Sequence, residues 1–181
     1  MRCRYVALLR GVNVGRAKRV SMNELRGLIE SLGYSEVSTL LNSGNVGFSA
    51  PEVETSEAAA RIESALAAEL GVRAPVVVLT AEQVTAAVTL NPFATIADNP
   101  SRLLVAFLAE SLGASKLDAL EQRDWAPEAF AVRGEAAYLW CPRGVASGPL
   151  FGAVIGALGD AVTTRNWATV VKLQALLESA G

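Results

Sequence analysis

Basic and small residues cluster between Arg10 and Arg19. This segment reads R-G-V-N-V-G-R-A-K-R, so four cationic side chains accompany two glycines within ten residues. Glycine lets backbone N–H groups approach a ligand, and the cationic groups attract an anion. The spacing fits neither a Walker A loop nor a G-x-G-x-x-G fingerprint. The segment therefore predicts an anion-binding loop outside the established motifs. Its candidate ligand-binding residues are Arg10, Gly11, Asn13, Gly15 and Lys18.

A polar turn further along the chain is expected to meet this loop. Asn42-Ser43-Gly44-Asn45 separates two strand-like segments, which is typical of a tight hairpin. In a ferredoxin-like unit, the loop after the first strand and the hairpin between strands two and three lie at one end of the sheet. Amides and a hydroxyl there would read the polar edges of a ligand whose charge the loop holds. The candidates are Asn42, Ser43, Gly44 and Asn45.

Both segments also have a purely structural interpretation. Gly11 and Gly15 would then only turn the chain, and Arg10 would cover the end of the sheet. In the hairpin, the residue types at 42, 44 and 45 would be present because the turn needs positive φ angles.

A second group of candidates lies late in the chain. The loop at residues 142–148 and the segment at residues 163–167 are expected at one end of a second sheet. Asn166 is placed as the N-cap of the final helix, where an anion would also meet Arg165. Trp167 is open to two interpretations, stacking on a base or packing in the core. The candidates are Arg143, Arg165, Asn166 and Trp167.

The chain of 181 residues contains no histidine, and this excludes more chemistry than any other feature. Ser–His and Cys–His nucleophilic sites and His-ligated zinc cannot be built without that side chain. No carboxylate pair and no cluster of metal ligands stands out, so catalytic residues stay unassigned and neither a metal nor a cofactor is expected. The segment Arg123-Asp124-Trp125 is interpreted as a surface turn.

The net charge of −2 conceals an uneven distribution. Residues 1–26 carry seven Lys or Arg against one acid, residues 27–132 carry five against fourteen, and residues 133–181 carry four against three. The acidic middle disfavours long duplex DNA, and an aromatic content of 6% disfavours a broad stacking surface for RNA. The expected partner is therefore a phosphate-bearing small molecule or a short RNA.

The cysteines and the hydropathy of the chain indicate the cellular compartment in which the protein is expected. Cys3 and Cys141 lie far apart and form no C-x-x-C motif, so they are interpreted as reduced thiols of a cytoplasmic protein. A disulfide between them is the alternative. The apolar run after the basic N-terminus has only the length of a strand, and later Ala-rich segments are broken by charges. We therefore expect neither a signal peptide nor a membrane span.

The spacing of apolar residues predicts the elements that position these loops. Residues 5–9 form a continuous apolar run, typical of a central strand buried on both faces. Helical periodicity and turn signals then predict the order β-α-β-β-α-β with one extra helix, and this order returns once more. The prediction is an α+β fold of two ferredoxin-like (βαββαβ) repeats with antiparallel sheets. The boundaries are 1–90 and 101–181, with a connector at 91–100.

Local signals mark where several helices begin and end. Ser21 to Glu24 and Thr80 to Gln83 have the S/T-x-x-E/Q spacing of a capping box, which predicts a helix start at each. Gly33 and Gly71 follow two helical patterns and are predicted to end them.

Taken together, several segments resemble the bacterial "domain of unknown function 1697" family. The matching segments are residues 5–15, 22–25, 42–46, 91–93 and 164–170, together with Phe48. The resemblance covers nearly the whole chain and implies an α+β fold built from ferredoxin-like repeats. It implies no activity, because the function of the family is unassigned. The family's motif positions correspond here to Arg10, Gly11, Asn13, Gly15, Ser43, Gly44, Asn45, Arg165, Asn166 and Trp167.

One departure from the family pattern concerns the second group of candidates. Relatives often have Ser-Lys-Leu after the loop that begins at Pro142, whereas this chain has Ser147-Gly148-Pro149-Leu150. If that lysine helps to bind an anion, this chain lacks it.

Three functions are consistent with these features. The leading hypothesis is a cytoplasmic module that binds a phosphate-bearing ligand, a nucleotide or RNA, at the basic Gly-rich loop. The first alternative is a His-independent enzyme acting on a phosphorylated metabolite, with Arg10, Lys18 and Arg165 holding the charge. The second is a structural or partner-binding protein without a small ligand. Whether the two groups of candidates form one site is left open, as is the oligomeric state.

Overall fold

The computed structural model describes residues 2–14, 19–108, 115–159 and 162–179, with the backbone alone for Ser115 and Lys116. Eight strands and six helices lie in these ranges, in an order that confirms the predicted β-α-β-β-α-β-α pattern in each half. They are β1 (Cys3–Leu9), α1 (Met22–Ser31), β2 (Ser35–Leu40), β3 (Asn45–Ala50), α2 (Thr55–Glu69), β4 (Val76–Thr80), α3 (Ala81–Thr89), β5 (Leu103–Leu108), α4 (Ser115–Glu121), β6 (Ala129–Arg133), β7 (Ala136–Trp140), α5 (Leu150–Leu158), β8 (Val162–Asn166) and α6 (Trp167–Glu178).

The strands form two four-stranded antiparallel sheets. The strand order is β2-β3-β1-β4 in the first sheet and β6-β7-β5-β8 in the second. The central strand β1 pairs on one side with β3, where Leu8 faces Asn45, and on the other with β4, where Leu8 faces Val77. In both sheets the first and third strands of the repeat are central, as in a ferredoxin-like unit. The predicted fold of two such repeats is confirmed.

The chain divides into two compact units. The first unit contains Met1–Val84 and Lys172–Gly181, and the second contains Thr85–Val171. This division falls inside two helices, because α3 begins in the first unit and ends in the second while α6 does the reverse.

The first unit buries both faces of its sheet. On one face, α1 and α2 contribute Leu25, Ile29 and Ile62 to an apolar core with the strands. On the other face, the side chain of Leu176 in α6 lies so close to β3 that a Cβ at Gly47 would be 3.0 Å from it. Every residue of the predicted buried run is at most 2% exposed, which confirms burial on both faces. These residues are Tyr5, Val6, Ala7, Leu8 and Leu9.

The second unit is built in the same way. Its core lies between the sheet and the helices α4 and α5, which contribute Leu117 and Val154. On the opposite face of the sheet, the hydroxyl of Tyr138 in β7 donates a hydrogen bond of 2.6 Å to the carbonyl of Ala87 in α3. Burial raises the pKa of Tyr138 to about 12, so this hydroxyl keeps its proton at neutral pH. The end of α3 therefore belongs to the core of the second unit.

The predicted helix signals are present. Ser21 Oγ accepts from Glu24 N at 3.2 Å while the Glu24 carboxylate accepts from Ser21 N at 3.0 Å. Thr80 and Gln83 make the same reciprocal pair at the start of α3. Gly33, with a φ of +85°, confirms the predicted end of α1. Within the described residues, none of the helices combines the length and the apolar character that crossing a bilayer requires.

Candidate functional site

Three connections meet at one end of the first sheet. The backbone N–H of Leu9 donates to the carbonyl of Gly44 at 2.8 Å, and that of Arg10 donates to the carbonyl of Pro75 at 2.9 Å. These bonds bring together the β1–α1 loop, the β2–β3 turn and the segment that leads into β4. The described ends of the basic loop and the polar hairpin therefore lie at the same end of the sheet, as the topology predicts.

The side chain of Asn13 connects this loop to the hairpin. Its Nδ2 donates to the carbonyls of Val20 and Asn42, each at 2.9 Å, and its Oδ1 accepts from Val20 N at 2.9 Å. Asn13 thus joins both described ends of the loop to the turn, using its amide oxygen and amide nitrogen. The predicted site residues Gly15 and Lys18 lie outside the described residues.

The hairpin is held by a buried amide and shaped by two left-handed residues. Asn45 is fully buried, and its Nδ2 donates to Leu40 O and Ser43 Oγ, each at 2.9 Å. The structural interpretation of this turn placed positive φ angles at Asn42, Gly44 and Asn45. This is wrong for the two asparagines, because the left-handed residues are Leu41, at +58°, and Gly44, at +75°. A propensity rule could not select Leu41, since leucine rarely adopts that conformation.

Gly44 is required by space as well as by conformation. A Cβ at this position would lie 2.7 Å from Val12 Cγ2 and 2.8 Å from Leu9 Cβ. Gly11 also has a positive φ, +71°, but a Cβ there would meet no atom within 4 Å. The turn is therefore pressed against the base of the loop at Gly44, while Gly11 borders open space.

The surface at this end combines three kinds of group. Arg19 is an exposed cation and Arg10 is half-buried, while Asn42 and Ser43 are exposed polar residues. Two large apolar side chains accompany them. These are Val14, which is 66% exposed, and Leu41, which is 49% exposed.

The second group of candidates lies at one end of the second sheet, because Trp140 pairs with Leu103 and Asn166 pairs with Leu104. Asn166 Oδ1 accepts from Thr169 N at 2.9 Å, which confirms the predicted N-cap of α6. Its amide oxygen is thereby used by the helix. Trp167 is half-buried.

Arg165 bonds to its own strand. Its Nη1 donates to Thr163 Oγ1 and to the carbonyl of Thr164, each at 2.9 Å. Burial lowers the pKa of Arg165 to about 10, and the guanidinium therefore stays charged at neutral pH.

Arg143 belongs to a different feature of the second unit, a cleft of about 190 Å³. One wall comes from residues 123–128, before β6, and the other from the loop that leads into α5. Arg165, Asn166 and Trp167 do not line it.

The wall before β6 corrects the prediction of a surface turn for Trp125 alone, because Arg123 and Asp124 are exposed. Trp125 is only 7% exposed, and its Nε1 donates to the carbonyl of Leu120 at 2.7 Å. The guanidinium of Arg123 lies over the indole ring, 4.4 Å from its centroid. An aromatic residue within a charged segment gave no sign of this burial, because the core that receives it comes from elements distant in sequence.

Glu128 is the residue of this cleft that sequence reasoning missed. Glu128 is only 8% exposed, and its Oε2 accepts from Leu150 N at 3.1 Å, at the start of α5. Its Oε1 is buried and has no hydrogen-bond partner among the described residues. Any Cβ at Gly148 would overlap this carboxylate, at 2.4 to 2.5 Å. A single glutamate after a proline carries no local signal of such a role.

The thiol of Cys141 lies next to Glu128. Burial raises the pKa of Cys141 to about 12, and the negative charge of the neighbouring Glu128 carboxylate acts in the same direction. The thiol is therefore protonated at neutral pH and a poor nucleophile. Both cysteines are unpaired. In the described part of the chain, no three Cys, Asp or Glu side chains come together in a way that could hold a metal ion.

Comparison with known proteins places the chain in a family without assigning an activity. The solved structure of the conserved bacterial protein SP0830 from Streptococcus pneumoniae superimposes with a TM-score of 0.81 and 22% sequence identity. The match covers 98% of this chain and 99% of that chain, and at this identity it shows the fold alone. None of the curated proteins matches the sequence. The family model described as "Protein of unknown function (DUF1697)" matches residues 2–138. The chain therefore belongs to the DUF1697 family.

Proposed function

We propose that this protein binds a phosphate-bearing ligand, a nucleotide or a short RNA, where the β1–α1 loop meets the β2–β3 turn. The observation that carries the proposal is the connection through Asn13, whose three hydrogen bonds join the basic loop to the hairpin. The described ends of the loop are thereby held against the hairpin before a ligand arrives, and this lowers the entropic cost of binding there.

Charge supports an anionic ligand at this end of the sheet. Residues 1–26 carry a net charge of +6 in a chain whose total is −2. Arg10 and Arg19 lie at the described ends of the loop, and Arg16 and Lys18 lie between them in sequence. Cations concentrated near one loop of an acidic protein attract a compact anion more effectively than an extended one. Asn42 and Ser43, which are exposed beside them, supply hydrogen bonds.

The apolar residues favour a ligand that contains a base over a bare phosphate. Leu41 is in the left-handed conformation, which costs a non-glycine residue about 1 to 2 kcal/mol, and its half-exposed side chain recovers little of this by burial. Backbone strain that the core does not explain points to a functional role. Val14 and Leu41 are the chain neighbours of Asn13 and Asn42, whose hydrogen bond joins the loop to the turn, and their side chains would pack on the apolar face of a nucleobase.

The proposed location of this protein is the cytoplasm, and an enzymatic role at the same site is compatible with ligand binding. Unpaired cysteines fit a protein that acts in the reducing cytoplasm. A His-independent enzyme acting on a phosphorylated metabolite would use the same cations for binding, so binding is the property to test first.

The test is fluorescence anisotropy with a labelled nucleotide and a labelled single-stranded RNA of about 10 nucleotides. Measurements at about 50 and 200 mM salt separate an ionic interaction from a non-ionic one. If three phosphates are contacted, RNA binding should weaken about 20-fold between these concentrations. The test variant replaces Arg10, Arg16, Lys18 and Arg19 by Ala, and it should abolish binding at both concentrations.

A charge-matched control separates the loop from net charge. It replaces four exposed arginines elsewhere, Arg26, Arg61, Arg102 and Arg133, and should bind nearly as the parent protein does. Equal loss in both variants would reduce the interaction to non-specific electrostatics. An absence of binding by the parent protein at low salt would contradict the proposal and favour a structural or protein-binding role. Leu41→Gly should weaken RNA binding and leave inorganic phosphate unaffected.

A further inference from the structure

We propose that the cleft of the second unit, lined by Glu128 and Arg143, binds a small zwitterionic ligand of amino-acid size. The ammonium group of the ligand would contact the Glu128 carboxylate, and its anionic group would contact Arg143. This site is separate from the one proposed for phosphate-bearing ligands.

The first argument is the unsatisfied carboxylate. A buried polar atom without a hydrogen-bond partner is rare in native proteins, and a buried charge without one is costly. Oε2 of Glu128 is satisfied by Leu150 N, but the buried Oε1 has no partner among the described residues. Glu128 lines the cleft, and a ligand bound there would supply the missing donor to its carboxylate.

The second argument is the space reserved for this group. Glu128 lies against the backbone at Gly148, where any side chain would overlap the carboxyl atoms at 2.4 to 2.5 Å. Its Oε2 is also fixed by the first amide of α5. The carboxylate is therefore held in one place before a ligand arrives, which is how a recognition group keeps its entropic cost low.

The third argument is the charge around the cleft. Arg123 and Arg143 line it together with Glu128 and Asp124. Asp124 Oδ1 already accepts from Ala126 N at 3.0 Å, and the Arg123 guanidinium lies over Trp125. Arg143 is exposed at the rim. A simple amine would be repelled by the two guanidinium groups and a simple anion by Glu128, whereas a zwitterion matches both charges.

Size restricts the ligand further. Pockets for drug-sized molecules and cofactors usually have volumes of about 300 to 1,000 Å³. A volume of about 190 Å³ is too small for a nucleotide and suits a molecule such as an amino acid or an amino-alkyl phosphate.

The proposal is tested by titrating four probes into ¹⁵N-labelled protein. L-serine and phosphoethanolamine are zwitterions with different anionic groups, propylamine carries only the ammonium, and propionate carries only the carboxylate. The Leu150 amide, which bonds to Glu128, and the Trp125 indole N–H, which bonds to Leu120 O, are the site-specific signals. At millimolar concentration at least one zwitterion should shift both signals, and the single-charge probes should bind at least about 10-fold more weakly. The zwitterion that shifts them distinguishes a carboxylate-bearing ligand from a phosphate-bearing one.

Variants assign the two contacts. Glu128→Gln keeps an amide oxygen that can accept from Leu150 N and should weaken zwitterion binding at least about 10-fold. Arg143→Ala should have a similar effect on zwitterions, whereas the weak binding of propylamine should stay the same or strengthen, because one repelling guanidinium is removed. The matched controls are Glu121→Gln and Arg133→Ala, because this ion pair of the same unit does not line the cleft. The spectra themselves show whether each variant is folded.

Three results would overturn this assignment. They are the absence of shifts with every probe, undiminished zwitterion binding by Glu128→Gln, and binding of propylamine or propionate as strong as that of the zwitterions. The variant with four replacements in the basic loop should bind zwitterions like the parent protein. This variant therefore tests the two proposals separately, because it removes the cations of the phosphate site and leaves the cleft of the second unit unchanged.

Discussion

The two units share one topology but fill the corresponding end of the sheet differently. In the first unit, the connections from α1 to β2 and from β3 to α2 are short, covering residues 32–34 and 51–54. Aromatic side chains close this end, since the rings of Tyr34 and Phe48 stack with centroids 4.5 Å apart. The Tyr5 hydroxyl accepts from Val53 N and donates to Val53 O, which ties the second connection to the sheet.

The second unit has longer connections at the same place, residues 122–128 and 141–149. Glu128 and the cleft lie at this end, where the first unit has the stacked rings of Tyr34 and Phe48. The comparison teaches that one repeat can use this end for stability while the other leaves space for a ligand.

The largest effect is expected where the first unit is most tightly packed. Gly44→Ala forces a left-handed alanine against Val12 and Leu9, and the free energy of unfolding should fall by about 2 to 4 kcal/mol. Gly11→Ala is the matched control, because it has the same sign of φ and open space, and should cost about 1 kcal/mol. Urea denaturation measures both. Equal losses would show that the close approach at Gly44 contributes nothing.

The next effect concerns the connection between loop and hairpin. Asn13→Ala removes three hydrogen bonds and should lower the free energy of unfolding by about 2 kcal/mol. Asn42→Ala, which keeps the backbone carbonyl that Asn13 contacts, should change it by less than about 0.5 kcal/mol. If the two variants unfold at the same urea concentration, the basic loop is not held by this side chain.

A pH effect is expected from the thiol beside Glu128. The folded-state pKa of Cys141, about 12, lies above its ordinary value of 9.0, so the folded protein keeps a proton that the unfolded chain loses. This contribution to stability is complete below pH 9 and falls as pH rises from about 9 towards 12. The slope of the unfolding free energy against pH in this range reports the number of protons that unfolding releases. Cys141→Ala should lower that number by about one. Denaturation between pH 8 and pH 10.5, with Cys3→Ala as the control, measures this change. An unchanged slope would contradict the burial of the thiol.

The smallest effect separates a stabilising residue from a binding residue. Tyr5→Phe should lower the free energy of unfolding by about 1 kcal/mol, because two hydrogen bonds to Val53 are lost. Glu128→Gln should change it by less than about 0.5 kcal/mol or raise it, because it removes an unsatisfied buried charge and keeps an acceptor for Leu150 N. A large loss in Glu128→Gln would mean that the carboxylate serves the fold and not a ligand.

The helices, the strands and their order follow from local features of the sequence. Apolar periodicity, the capping boxes at Ser21 and Thr80 and the glycine at position 33 are local signals, and local signals decide where helices and strands begin and end. The repetition of that order was enough to predict two ferredoxin-like units and to place the loop after β1 beside the β2–β3 hairpin.

The contacts of individual side chains depend instead on the packing of distant segments. The side-chain amide of Asn13 donates hydrogen bonds to the carbonyls of Val20 and Asn42. Leu41 adopts the left-handed conformation in the turn, and Trp125 packs in the core of the second unit. Glu128 meets Leu150 across 22 residues of sequence. Burial and hydrogen-bond partners of this kind depend on which distant segments the fold brings together, and no local pattern of residue types records that.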